Sequence, residues 1–187
     1  MCKESDELIW KRCLKGDREA FEELYKRYYS ILYNYGMSYV KDSDMVRNCL
    51  QDLFVKLIVN HDRLSETDTV RFYLLKAFRF ALYNSLKAES TRLGFVASVP
   101  DDMLVFQFDN IEMEENAPAD IECLKEAIRS LSSRQQEVIY LYYVRELSHA
   151  DIAKILNINS QSSKNLLARS IAKLRALILG DDKKHKC

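Results

Sequence analysis

The sequence predicts an all-α protein: two small helical domains joined by a flexible acidic linker. Three observations predict it. Apolar residues recur at helical spacing nearly throughout the 187 residues. Only 4 glycines and 2 prolines occur, too few for a turn-rich β fold. Both prolines, Pro100 and Pro118, bracket a stretch holding six acids (Asp101, Asp102, Asp109, Glu112, Glu114, Glu115) and no Lys or Arg. The formal net charge is zero, so the segments on either side are net positive. The boundaries implied are a first domain over 1–96, a linker over 97–119, a second domain over 120–180 and a charged tail over 181–187.

The elements follow in order. Leu8–Leu14 forms a first helix, which Lys15-Gly16-Asp17 ends with a stop and a new cap. Ala20, Phe21, Leu24, Tyr28, Ile31, Leu32 and Tyr35 then mark a long amphipathic helix. After Lys41–Asp44, a third runs from about Met45 to Asn60, with Val46, Leu50, Leu53, Phe54 and Leu57 inward and Gln51, Asp52 and Lys56 outward. Arg71–Ala88 is a fourth, turning Leu74, Leu75, Phe78, Ala81, Leu82 and Leu86 inward. Its opposite side gathers Phe72, Lys76, Phe80, Tyr83, Asn84 and Lys87, with Tyr73 and Arg79 at the margins. Rings interleaved with cations suit single-stranded nucleic acid, since bases stack on the rings while cations follow the phosphates. A second core layer over Phe72, Phe80 and Tyr83 is the plainer alternative.

The linker reads as a solvated tether, and its apolar patch Met103–Phe108 is too short for a core but could dock on a partner. Beyond it, Leu147–Arg175 reads as two helices around a short turn. Ser148 caps the first, with Asp151 as capping-box partner, and Ile152, Ala153, Ile155 and Leu156 face inward. Asn157–Asn159 break the pattern and Asn159 caps a second helix, where Leu166, Leu167, Ile171 and Leu174 recur. Its other side carries Ser160, Gln161, Ser162, Lys164, Asn165, Arg169 and Lys173, with no acid from Ser160 to Arg175. Amides and hydroxyls near a helix N-terminus can read base edges while cations hold phosphates, which makes this a helix-turn-helix DNA reader. Any helical hairpin has two apolar stripes; the caps, the short turn and the cationic face favour the DNA reading.

Composition narrows the classes further. No apolar run approaches a membrane span and MCKESDELIW lacks a signal peptide's apolar core, so a cytosolic protein is expected. Cys2, Cys13, Cys49, Cys123 and Cys187 are scattered, which implies reduced thiols rather than a metal site or disulfides. His61, His149 and His185 lie far apart, no Gly-rich phosphate loop occurs, and acid pairs such as Glu22-Glu23 read as solvated faces. An enzyme is not expected, nor a cofactor or a small-molecule substrate.

Taken in chain order, four segments resemble a known family. KGDREAFEELYKRYY, CLQDLFVKLI, VRFYLLKAFRFALYNSLKAESTR and LSSRQQEVIYLYYVRELSHADIAKIL, with the helix after it, are similar to bacterial RNA polymerase sigma factors of the extracytoplasmic-function group. These are the minimal two-domain members of the sigma-70 family, and the resemblance spans nearly the whole chain. It implies that 1–96 is a region 2-like domain that binds core polymerase and melts promoters, and that 120–180 is a region 4-like domain. Core polymerase would be gripped through the family pattern Gln-acid-x-Phe-x-Lys-Leu, here Gln51, Asp52, Phe54 and Lys56. Phe72, Lys76, Arg79, Phe80, Tyr83, Asn84 and Lys87 would capture unpaired bases of the minus-ten element. The helix from Ser160 would read the minus-thirty-five element in duplex DNA, and the acidic linker would lie along polymerase channels. Implied partners are core RNA polymerase, promoter DNA and an anti-sigma factor. The chain departs from the family at Phe80, where many members have asparagine, and at Asn48, where an acid is common. Ser160 and Ser163 replace usual apolar residues, and Leu166 replaces a polar or basic one, so the recognition helix is expected to sit rotated or pack less tightly. A helix-turn-helix regulator that never joins core polymerase is the rival reading.

Overall fold

Helices begin in this chain where a side chain can satisfy the free N–H groups of a first turn. The computed structural model describes residues 4–67, 69–92, 106–107 and 119–181, the side chains of 119–122, 180 and 181 apart. Ser5 accepts from the Leu8 amide to open α1 (Asp6–Cys13), which has acids in its first turn and Lys11 and Arg12 in its last, as the helix dipole favours. Asp17 caps α2 (Arg18–Met37) by accepting from the amides of Glu19 and Ala20. Asp42 does the same for α3 (Ser43–Val59), and α4 (Val70–Arg92) follows a 3-10 turn at His61–Arg63. Between α1 and α2, Gly16 takes φ +79°, and a Cβ there would lie 3.0 Å from the His61 ring.

The chain divides into two compact units, 1–103 and 104–187. In the first, α2 buries Ala20, Phe21, Leu24, Tyr28, Leu32 and Tyr35, while Ile31 is only half-buried. At Gly36 the helices of this bundle approach closely. A Cβ on this glycine would meet Val46 of α3 at 2.7 Å and Phe78 of α4 at 3.0 Å, so three helices converge where the smallest residue stands. α3 packs inward through Val46, Cys49, Leu50, Leu53, Phe54 and Leu57, and α4 through Val70, Leu74, Leu75, Phe78 and Leu82. Ala81 and Leu86, expected in that core stripe, sit at its edge, half-buried.

The second unit contains α5 (Ala119–Arg129), α6 (Ser133–Ile139), a π turn at Tyr140–Val144, α7 (His149–Ile155) and α8 (Ser160–Asp181). Ser148 accepts from the Asp151 amide and donates to its carboxylate at 2.6 Å. Asn157, at φ +53°, ends α7 in the left-handed region, and Asn159 accepts from the Ser162 amide at 2.7 Å to start α8. Caps and turn lie where the sequence spacing puts them.

The linker expected over 97–119 lies outside the described residues except for Phe106, Gln107 and the start of α5. Of the Met103–Phe108 patch, expected to be able to dock on a partner, Phe106 is the residue whose outcome the described residues give: it is already engaged within this chain. Its side chain is fully buried in the second unit, 5.3 Å from the Tyr140 ring, and its N–H donates to Ser133 Oγ at 2.5 Å. An aromatic residue can enter a core from a connecting segment when a neighbouring hydroxyl satisfies its backbone, which hydropathy alone does not reveal. Phe106→Ala should therefore destabilise the second unit by roughly 3 kcal/mol. Hydrogen exchange at the amides of α6 in the full chain would measure it, with α2 and α3 as an internal standard.

Candidate nucleic-acid and protein-binding surfaces

Three outward helix faces carry the residues that the sequence singles out. On α3, Gln51, Asp52 and Lys56 are exposed, whereas Phe54 is buried with its ring edge-on to Tyr25 at 5.0 Å. Phe54 thus supports the face from beneath and offers no surface of its own. Val55, Ile58 and Val59, absent from the sequence-predicted face, are 49%, 43% and 70% exposed beside the polar residues. At roughly 100° per residue Val55 and Val59 fall opposite Leu50, Leu53 and Leu57, with Ile58 at the margin, so a second apolar stripe was readable there. Exposed valines next to a carboxylate suit a protein partner better than a phosphate backbone. Beside this face, a groove lined by Asp42, Asp44, Asp52, Ser85, Glu89 and Arg92 is net acidic and repels nucleic acid.

On α4, Lys76, Phe80, Asn84 and Lys87 stand exposed at successive turns, and Phe80 is 67% exposed. Phe72, Arg79 and Tyr83 are half-buried, and the Lys76 ammonium lies 5.8 Å from the centre of the Phe72 ring. Tyr73 leans on Trp10, with ring centres 5.0 Å apart, and burial raises its hydroxyl pKa. The rings are therefore not sealed into a second core layer. The helix carries no acid from Val70 to Ala88.

On α8 the inward stripe is rotated from the one that the leucines suggest. Ser163, Leu167, Ser170 and Leu174 are buried, while Leu166 and Ile171 are only half-buried. The two serines are tolerated because each is satisfied: Ser163 Oγ lies 3.1 Å from His149 Nδ1, and Ser170 Oγ donates to the Leu166 carbonyl at 2.7 Å. Recentred on this stripe, the outward face is Gln161, Asn165, Ala168 and Ala172, flanked by Lys164, Arg169 and Arg175, all exposed. Arg175 and the two alanines were missed for want of the correct rotation. Gln161 Nε2 donates to Asn165 Oδ1 at 3.0 Å, which ties two polar groups into one array. Ser160 is exposed at the helix start, and Ser162 is half-buried at the face's edge. Arg169 Nε donates within α8, to the Asn165 carbonyl at 3.3 Å, whereas the Lys173 ammonium reaches another helix and donates to the Ser130 carbonyl at 3.0 Å, at the end of α5. Its first role is to cap that helix.

Among the described residues no three His, Cys, Asp or Glu side chains cluster as metal ligands, and no helix is long and apolar enough to cross a membrane. Cys13 and Cys49 are buried free thiols, and burial pushes the Cys13 thiol pKa up to about 12.

A helical unit with aromatic and apolar outer faces, followed by a helix-turn-helix with a cationic second helix, defines a class of DNA-binding transcription proteins. Residues 121–174 match the model of sigma-70 region 4. The ECF RNA polymerase sigma factor SigM of Bacillus subtilis is 24% identical over 159 residues, covering 84% of this chain and 94% of SigM. Among solved structures, CnrH in complex with the cytosolic domain of CnrY aligns with TM-score 0.61 at 18% identity, over 95% of this chain and 99% of that one. The sigma factor RpoE of Bartonella quintana, in complex with the anti-sigma factor NepR, gives TM-score 0.60 at 19% identity, over 84% and 96%. The structural likenesses establish the fold. Residues 121–174 thus carry sigma-70 region 4, and over most of its length the chain is similar to extracytoplasmic-function RNA polymerase sigma factors.

Proposed function

We propose that this sigma factor, which directs transcription initiation with core RNA polymerase, divides its work among the three faces. The outward side of α3 grips core polymerase: Asp52 supplies charge, Gln51 a hydrogen-bonding amide, and Val55 and Val59 the apolar contact. The outward side of α8 lies in the major groove of the minus-thirty-five element. Ala168 and Ala172 allow close approach, Gln161 and Asn165 face base edges, and Lys164, Arg169 and Arg175 hold phosphates. The α4 face captures unpaired bases of the minus-ten element, and strand separation follows because the captured state is lower in free energy. One observation carries this reading: Phe80 stands out into solvent at the centre of an acid-free, cation-flanked helix face. Stacking on its ring takes the place of the hydrogen bond that an asparagine makes at this position in many family members.

The residues act by binding alone, and no bond is made or broken by this chain. Its place of work is the cytoplasm, with core polymerase and promoter. The structural relative RpoE, bound to the anti-sigma factor NepR, supports an anti-sigma partner here as well. The exposed apolar stripe on α3 favours this reading over a regulator that never joins polymerase, which would have no use for it.

Asp52→Arg should weaken assembly with core polymerase roughly tenfold or more while leaving the helical circular dichroism unchanged, because the site is solvent-facing. Co-elution on gel filtration measures this, and unchanged assembly would count against the α3 interface. Arg169→Ala should lower holoenzyme affinity for duplex promoter across sequences and reduce the slope of log affinity against log salt by about 1. A changed sequence preference at undiminished affinity is the contrary result. Phe80→Ala should weaken capture of a single strand roughly tenfold and slow open-complex formation more than duplex binding. Permanganate footprints like those of the wild type would refute stacking.

A further inference from the structure

The connection between α3 and α4 is held from the opposite end of the first unit's sequence. Trp10, the single tryptophan, is 1% exposed. Its indole N–H donates to the Ser65 carbonyl at 3.1 Å, and its ring packs on Tyr73 in the first turn of α4. Just after α3, His61 Nδ1 lies 3.3 Å from the Leu14 carbonyl, and the Gly16 turn closes over the same imidazole. Asp6 accepts from the Tyr28 hydroxyl, which also meets Arg71. The connection has little packing of its own: Leu64 is half-buried, and Ser65, Glu66 and Thr69 are exposed. A segment with so few buried apolar contacts moves unless hydrogen bonds hold it.

We propose that Trp10 is a positioning residue for single-strand capture. Its N–H bond to Ser65 and its ring against Tyr73 set where α4 begins and how it is rotated. That rotation presents Phe72, Lys76 and Phe80 in one line. Stacking on a ring depends on its plane and height, so a face that bears rings must be preorganised by side chains that touch no base. Trp10 is such a side chain. The inference rests on the reading of α4 as the strand-capturing face.

Trp10→Phe keeps an aromatic ring in the core and deletes the donor to Ser65. The probe is a labelled mixed-sequence single strand of about 12 nucleotides, titrated against holoenzyme. Affinity should fall about fivefold, the equivalent of one neutral hydrogen bond. Holoenzyme assembly and binding to duplex DNA should stay at wild-type levels. Ser65→Ala retains the backbone carbonyl and should behave as wild type. An unchanged single-strand affinity overturns the proposal, and so does an equal loss in assembly and duplex binding, which would mark a purely structural role. Phe80→Ala, measured alongside, separates the two readings: a loss there with none for Trp10→Phe removes the brace and keeps the α4 face, whereas no loss in either removes both. If Trp10→Phe lowers the melting temperature, His61→Ala tests the second grip from a half-exposed position, with a wild-type affinity again overturning the brace.

Discussion

The close approach of α3 and α4 to Gly36 is the constraint on which the first unit depends. With Val46 and Phe78 converging on the spot where a Cβ would stand, α2 can meet both helices only at a position lacking a side chain. That contact fixes the rotation of α3 and α4 together. Once Val46 and Phe78 point inward, helical geometry sends Gln51, Asp52 and Val55 outward on one helix and Lys76, Phe80 and Asn84 outward on the other. A single packing contact therefore orients a face suited to protein and a face suited to unpaired bases. The acidic groove that α3 and α4 form, lined by Asp42, Asp44 and Glu89, sets the two apart electrostatically.

The second unit solves a comparable problem with hydroxyls. Ser163 and Ser170 occupy buried positions on α8 where larger apolar side chains would hold the helix further off. The small volume of Ser163 lets α7 come near, with His149 satisfying its hydroxyl, and the Leu166 carbonyl satisfies Ser170. The resulting rotation brings Ala168 and Ala172 to the middle of the exposed face, between cations. Small residues at the centre and long ones at the rim are what a helix needs to enter a groove and hold its walls. Lys173 illustrates the limit of counting charge, since its ammonium is engaged at the end of α5.

Much of this was legible in the chain. Caps at Asp17, Ser148 and Asn159 lie where spacing places them, because an N-cap bond reaches only three residues and is written in local sequence. The core stripes of α2, α3 and α4 were likewise readable, since burial on one side of a regular helix must repeat every three to four residues. The solvent-facing Asp52 and Lys56 followed from the same period.

Other features depend on which element comes to lie beside which, and no periodic pattern contains that information. Phe106 belongs to a short apolar patch in an acidic stretch, and its burial depends on Tyr140 and Ser133, more than twenty-five residues away in the chain. The inward serines of α8 look polar until His149 is set against one of them. Trp10 is plainly a core residue by type, yet its bond to Ser65 spans 55 positions and is chosen by the packing of α1. Local hydrogen bonding and helical repeat are short-range, so the amino-acid order alone decided helices, caps and the chemistry of each face. The rotation of α8, the seat of Phe106 and the bracing of α4 come from contacts between distant segments, whose strength exists only once the chain is packed.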